Sequence, residues 1–269
     1  MKSYLDLLRH VMEHGKDRED RTGVGTRAVF GYQWRHDLRT GFPLLTTKRI
    51  HVKSVIYELL WFLRGETNVR WLQDNGVSIW NEWADKNGEL GPVYGCQWRN
   101  WIGLLRNERD TVEIDQISNL VRDLVNNPYS RRHIVTAWNP VDIPRMKLPP
   151  CHTLWQCQVE AGALNLHLYA RSIDSFLGLP FNIASYAFLL SMLGHITGLT
   201  PGELIISFGD LHIYRNHFAQ VEEQLSREPD NLPQLKIASE PVTIDGFDYS
   251  DFIITDYRPQ PAIKAPIAI

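Results

Sequence analysis

The chain has 269 residues, 43% of them hydrophobic and 11% aromatic, which supports a substantial core and excludes a disordered chain. Its 28 Lys and Arg against 31 Asp and Glu leave a net charge of −3, so it lacks the basic excess of a general nucleic-acid or membrane-surface binder. Three cysteines, Cys96, Cys151 and Cys157, form no CxxC pair and no even set, so neither a disulfide framework nor a metal site is expected.

In chain order, Ser3 predicts the cap of a first helix carrying Leu5, Leu8 and Met12 on one face. This opening stretch has acids and histidines where a secretory signal needs an unbroken apolar run. No run of eighteen apolar residues occurs anywhere, so a soluble, cytoplasmic chain is expected. Residues 28–34 read as a strand, 52–63 as a second helix closed by Gly65, and 68–75 as a short third helix. Ile114, Ile117, Val121 and Leu124 mark a fourth helix that Pro128 ends. Strand-like runs follow at 133–138, 153–160, 164–171 and 204–208, rich in β-branched and aromatic residues. Residues 183–193 are apolar nearly all round, which predicts a central buried helix, and 216–225 give a last one. With no internal repeat, linker or low-complexity segment, the expectation is a single domain over 1–269 of mixed α/β (α+β) class, with a large sheet flanked by helices.

One hairpin can be placed in register. If Ala161 and Gly162 form a two-residue turn, Glu160 faces Ala163 and the ladder runs back to set Cys151 opposite Ser172. Thr153, Trp155, Cys157 and Val159 then share one face with Leu164, Leu166, Leu168 and Ala170, while Gln156, Gln158 and Glu160 share the other with Asn165 and His167. A regular ladder points Arg171 away from Cys151, so their meeting requires a bulge.

The candidate chemistry clusters around that hairpin. Residues 171–186 read RSIDSFLGLPFNIASY, placing a guanidinium, hydroxyl, carboxylate and carboxamide beside a core helix, where unpaired polar groups are costly. An ordinary thiol ionises near about 8.5, and a guanidinium that lowers Cys151 to around 7 would raise its thiolate fraction roughly tenfold. His152 sits next to it, but adjacent strand residues point to opposite faces, which weakens a Cys/His hydrolase reading. Arg21, Arg131, Arg132 and Arg171 lie near element ends, where their forks suit a phosphate, although an Arg pair is ordinarily a solvated surface feature. Gly23-Val24-Gly25 lacks the third glycine and following helix of a dinucleotide fingerprint.

Glu58 falls on the apolar stripe of its helix, where desolvation raises a carboxyl toward neutrality. Asp174 and Asn182 bracket the turn 177–180; Asn182 suits the edge of a heterocycle or, alternatively, the cap of the apolar helix. Asp210, His212 and Tyr214 alternate along a strand as a hydroxyl-binding row. Trp80, Trp83, Tyr94 and Trp98 form an aromatic region able to stack a planar ligand or to make a satellite core. The apolar C-terminal run PAIKAPIAI can fold over a site as a lid.

Taken together, DRTGVGT, FPLLTTKRIH, ELLWFLRG, IWNEWAD, GPVYGCQWR, SRRHIVTAWNP, PPCHT, RSIDSFLGLPFNIASYA and GDLHIYRNH resemble the folate-dependent, bacterial-type thymidylate synthase family, in its order and spacing. The resemblance implies an α/β homodimer with sheets packed back to back. It also implies reductive methylation of dUMP to dTMP by 5,10-methylenetetrahydrofolate, without metal or nicotinamide. By motif, Cys151 would attack the pyrimidine, while Arg21, Arg171 and Ser172 hold the phosphate with Arg131 and Arg132 of the partner subunit. His212 and Tyr214 would meet the sugar hydroxyl and Asn182 the uracil edge. Glu58 would organise proton transfers, with Tyr94 and His152 assisting. Asp174 would bind the pterin, with Ile79, Trp80, Trp83, Leu177, Gly178 and Phe181 lining the folate pocket, His51 and Lys48 near its tail, and Ala268 and Ile269 closing the lid.

The sequence departs from the family pattern at Ala170, where a glutamine is usual, so an effect on packing or the dimer contact is expected. The run 205–208 is also a loose match. The nearest alternative is a pyrimidine-nucleotide hydroxymethylase of the same superfamily, whose cytosine-specific members carry an acid at the place of Asn182. A catalytically silent nucleotide- or RNA-binding relative is a different class, and intact Cys151, Glu58 and Asn182 argue against it.

Overall fold

The computed structural model describes residues 1–104 and 111–267. In chain order its helices and strands are α1 (Lys2–His14), β1 (Lys16–Arg18), β2 (Thr26–Asp37), α2 (Val52–Leu63), α3 (Arg70–Asp74), α4 (Tyr94–Arg99), β3 (Trp101–Leu104) and β4 (Thr111–Ile114). They continue with α5 (Gln116–Asn126), β5 (Ile134–Thr136), β6 (His152–Glu160), β7 (Ala163–Asp174), α6 (Gly178–Thr197), β8 (Thr200–Tyr214), α7 (Phe218–Leu225), β9 (Gln234–Ile237) and β10 (Phe252–Thr255).

Six strands form one mixed sheet in the order β1-β2-β8-β7-β6-β5. Among the described residues only β7 and β8 run parallel; a parallel pair needs a crossover, and α6 supplies it. The inner face of the sheet carries Trp34, Trp155, Cys157, Leu166, Leu168, Leu204 and Ile206, all buried with α6 and α2 in the core. By length and composition α6 is apolar enough to cross a membrane, but 72% of that window is buried inside the protein. The outer face carries Ile134, Leu154 and Tyr169, each at least 39% exposed, among polar side chains such as Gln33 and His167, both of which hydrogen-bond Ser207.

The hairpin register holds from Glu160–Ala163 to Leu154–Tyr169. Its turn residues Ala161 (φ 48°) and Gly162 (φ 80°) are both left-handed, as a two-residue turn matched to strand twist requires. The next pair is His152–Ala170, so Thr153 is the extra residue of a bulge. That single insertion corrects the expected partner of Cys151: its carbonyl accepts the Arg171 N–H at 2.9 Å, and Ser172 lies one residue beyond. Ala170 is fully buried on the inner face, paired with His152 and Phe208, so its effect falls on packing behind Cys151 and not on the outer face.

Three local expectations are corrected. Ser3 lies inside α1 and makes no cap, because its hydroxyl accepts the Trp34 indole N–H at 3.0 Å. Ile114 ends β4, and α5 begins after Asp115, whose carboxylate accepts the Ser118 N–H at 2.9 Å; an N-cap aspartate outweighs the apolar spacing that drew Ile114 into the helix. Asn182 lies within α6 and is not its cap. Asp174 Oδ1 instead accepts the N–H groups of Phe176 (2.8 Å) and Leu177 (3.2 Å) ahead of the helix.

Candidate active site

The bulge end of β6, the ends of β7 and β8, and the buried face of α2 surround a cavity of about 880 Å³. Cys151 opens onto it. Pro149 and Pro150 precede the thiol, and their carbonyls accept the Arg171 Nη2–H and Nε–H, each at 2.9 Å, which holds the guanidinium with Nη2 4.0 Å from Cys151 Sγ. The Cys151 N–H donates to the Tyr94 hydroxyl at 2.7 Å, which leaves the phenol proton free to be given elsewhere. Burial pushes the Cys151 thiol up, while Arg171 and Tyr94 pull it down less strongly. The net direction corrects the expectation of a thiol lowered toward neutrality: desolvation of the strand end outweighs one guanidinium at 4 Å.

The same cavity is lined by a buried carboxyl. Burial raises Glu58 to about 7, against the opposing effect of its bond from the Trp80 indole N–H at 2.7 Å. His152 is buried beside Tyr94, with ring centroids 5.4 Å apart. Burial lowers it to about 4, with Asn182 opposing, so it is a neutral imidazole at physiological pH. Asn182, freed from capping, lines the cavity with Glu58 and His152. Burial also holds the Tyr94 phenol well above its ordinary value, hence neutral.

At the outer end, Arg21, Arg171 and Ser172 share the wall with His212 and Tyr214. Arg21 rides on a loop built by Asp20, which accepts the Gly25 N–H (2.8 Å), the Thr22 N–H (3.2 Å) and the Thr22 hydroxyl (2.7 Å). Gly25 has φ 77°, a left-handed conformation that glycine adopts without strain. Asp210 pairs with Arg18 and with His212 Nδ1 at 2.9 Å. It therefore orients the row, and His212 and Tyr214 are left to face the cavity. Burial lowers His212 and raises Tyr214 to about 12.

Asp174, Gly178, Trp80 and Trp83 line the remaining wall, the two indoles edge to face at 5.8 Å. The other residues expected at the folate pocket do not line this cavity. Ile79, Leu177 and Phe181 are half-buried against the core, not on the cavity wall. His51 is exposed at the start of α2, where its Nδ1 meets the Ser54 hydroxyl at 2.7 Å. Lys48 is buried, its ammonium donating to the Phe176 carbonyl and lying 3.5 Å from the Phe176 ring centre. Burial lowers it to about 7; backbone and ring partners hold it inward. Arg131 and Arg132 are exposed just before β5 and do not touch this chain's cavity. Ala268 and Ile269 lie outside the described residues.

Arg18 and Asp20 are contributors that sequence reasoning passed over, as is the pairing of Arg18 with Asp210. Asp20 had a signal, since an aspartate two residues before Thr-Gly favours an Asx turn, whereas the Arg18–Asp210 pair spans strands distant in sequence. Among the described residues no group of three His, Cys, Asp or Glu side chains is arranged to hold a metal.

The family model described as thymidylate synthase matches residues 2–269, covering every motif that builds this cavity. The chain therefore belongs to the thymidylate synthase family.

Proposed function

We propose that this enzyme converts dUMP to dTMP, taking the one-carbon unit and reducing equivalents from 5,10-methylenetetrahydrofolate. The observation that carries the reading is the Cys151–Arg171 pair at 4.0 Å on the rim of a cavity that also holds Glu58, Asn182 and the Asp20-built loop. Arg21, Arg171 and Ser172 bind the nucleotide phosphate. Two copies of the chain pack through their outer sheet faces, and Arg131 and Arg132 complete the phosphate site of the partner copy. The deoxyribose hydroxyl meets His212 and Tyr214.

Cys151 gives its proton to solvent as the nucleotide seats, and the thiolate electron pair forms a bond to carbon 6 of the uracil. The displaced π electrons make carbon 5 nucleophilic and place charge on the carbonyl oxygen at carbon 4, within reach of the Asn182 carboxamide. Fixed donors aimed at a developing charge stabilise it without reorganisation. Glu58, held near neutrality by burial, accepts and returns protons close to working pH, and Tyr94 faces the proton that leaves carbon 5.

The slot beside the nucleotide fits a planar pterin. Gly178 lines the same cavity as Asp174, Trp80 and Trp83 and adds no side chain to its wall. Asp174 then accepts ring N–H groups, and the two indoles exclude water. When bound, methylenetetrahydrofolate supplies the methylene group and then a hydride.

Incubation with dUMP and the folate tests the reading: thymidylate and dihydrofolate are expected, followed by rising absorbance. A 5-hydroxymethyl product without dihydrofolate supports the hydroxymethylase instead.

A further inference from the structure

His217 is fully buried and joins three parts of the site that sequence reasoning treated separately. Its Nε2 lies 2.7 Å from the Pro266 carbonyl oxygen, and its Nδ1 lies 3.9 Å from Asp174 Oδ1 with no hydrogen-bond partner of its own. The ring packs edge to face on Tyr214 at 5.6 Å and tilts against Phe176 at 5.6 Å. Earlier tail contacts are independent of it: the Gln260 N–H donates to Thr46 O (2.8 Å) and Arg227 to Pro261 O (2.6 Å). Among the described residues, the Pro266 carbonyl is the last group of the tail to make a hydrogen bond.

A carbonyl oxygen only accepts, so the 2.7 Å contact places the proton on Nε2. In the tautomer that carries its proton there, the Nδ1 lone pair faces the Asp174 carboxylate. Two acceptors 3.9 Å apart do not bond, and Asp174 is left to its two backbone donors and to whatever enters the cavity. When the tail lifts, Nε2 loses its acceptor. Exchange through water can then remove the Nε2 proton and deliver one to Nδ1 with no change in charge, and the new Nδ1–H faces a carboxylate one small movement away.

We propose that His217 is a positioning residue that couples seating of the C-terminal tail to the hydrogen-bonding capacity of Asp174. With the tail seated, Asp174 is free for the incoming ring; with it lifted, His217 holds Asp174 toward the interior. The proposal rests on the reading that Asp174 receives the folate.

The test compares His217→Phe, His217→Gln and His217→Asn with the unaltered enzyme, by hydrogen–deuterium exchange of the segment 259–267 and by steady-state kinetics. A glutamine amide reaches the place of Nε2, an asparagine amide that of Nδ1. Loss of one buried hydrogen bond and its coupling should raise the folate KM of His217→Phe roughly tenfold, speed tail exchange, and leave nucleotide affinity within about twofold. His217→Gln should recover tail protection and His217→Asn should not. Unchanged exchange and KM in His217→Phe, or equal behaviour of the Gln and Asn variants, overturns the coupling. The exchange measurement needs no turnover, so it judges the tail contact even if the unaltered enzyme makes no thymidylate, an outcome that would instead defeat the functional reading.

Discussion

Replacing Glu58 with glutamine should stabilise the protein at alkaline pH and leave it unchanged near pH 4. Glu58 is buried and its folded-state pKa is raised from 4.5 to about 7, chiefly by desolvation. Between those values the native state keeps a proton that the unfolded chain has lost, so stability falls as pH rises. The full difference, present above pH 7, is worth about 3 kcal/mol. A glutamine oxygen can still accept the Trp80 indole N–H, so the variant keeps the bond and omits the buried charge. Urea unfolding at fixed protein concentration, at pH 4.5, 6 and 8, measures the effect. The gap between variant and parent should open progressively over that range while turnover collapses. A gap that does not change with pH would refute the placement of Glu58 as a desolvated, titrating carboxyl.

Cys151→Ser should keep nucleotide binding, measured by calorimetry, and lose nearly all turnover; a fully active serine variant would remove the nucleophile from the account. Trp80→Phe deletes a hydrogen bond to the ionised form of Glu58, worth about 1.5–3 kcal/mol, so the acid limb of the pH–rate profile should move up by roughly one to two pH units. An unmoved limb would separate Glu58 from the chemistry. Asp20→Ala removes three hydrogen bonds from the loop that carries Arg21. It should cost roughly 1–3 kcal/mol of stability and raise the nucleotide KM more than it lowers kcat, whereas an unchanged KM would mean that Arg21 does not bind the phosphate.

Local rules carried much of this fold. The type of turn at Ala161-Gly162, the side-chain alternation of the hairpin and the all-apolar character of α6 each follow from a few neighbouring residues, and the strands pair as that pattern implies. The bulge was needed to bring Cys151 and Arg171 together, but its position at Thr153 was not legible. It depends on the Thr153 carbonyl accepting the N–H groups of Ala137 (2.8 Å) and Trp138 (3.3 Å) from a neighbouring segment. Ser3 failed as a cap for a similar reason, since Trp34 claims its hydroxyl across 31 positions.

Charge was harder to read than placement. A guanidinium beside a thiol is visible in the pattern, but the desolvation that outweighs it depends on how tightly the strand end packs. Lys48 shows the same limit, because a lysine in a polar run reads as exposed until Phe176 offers a ring and a carbonyl to hold it. His217 ends the motif GDLHIYRNH, but its place between Asp174 and the tail gave no signal, since those groups lie 43 positions before it and 49 after it.

The most direct measurement uses a 5-fluorinated deoxyuridylate with methylenetetrahydrofolate, because fluorine at carbon 5 cannot leave as a proton and the adduct persists. Peptide mass spectrometry should place the added nucleotide and folate mass on the sulfur of Cys151. A label on any other residue, or no covalent label at all, would contradict attack by this thiol on a uracil ring.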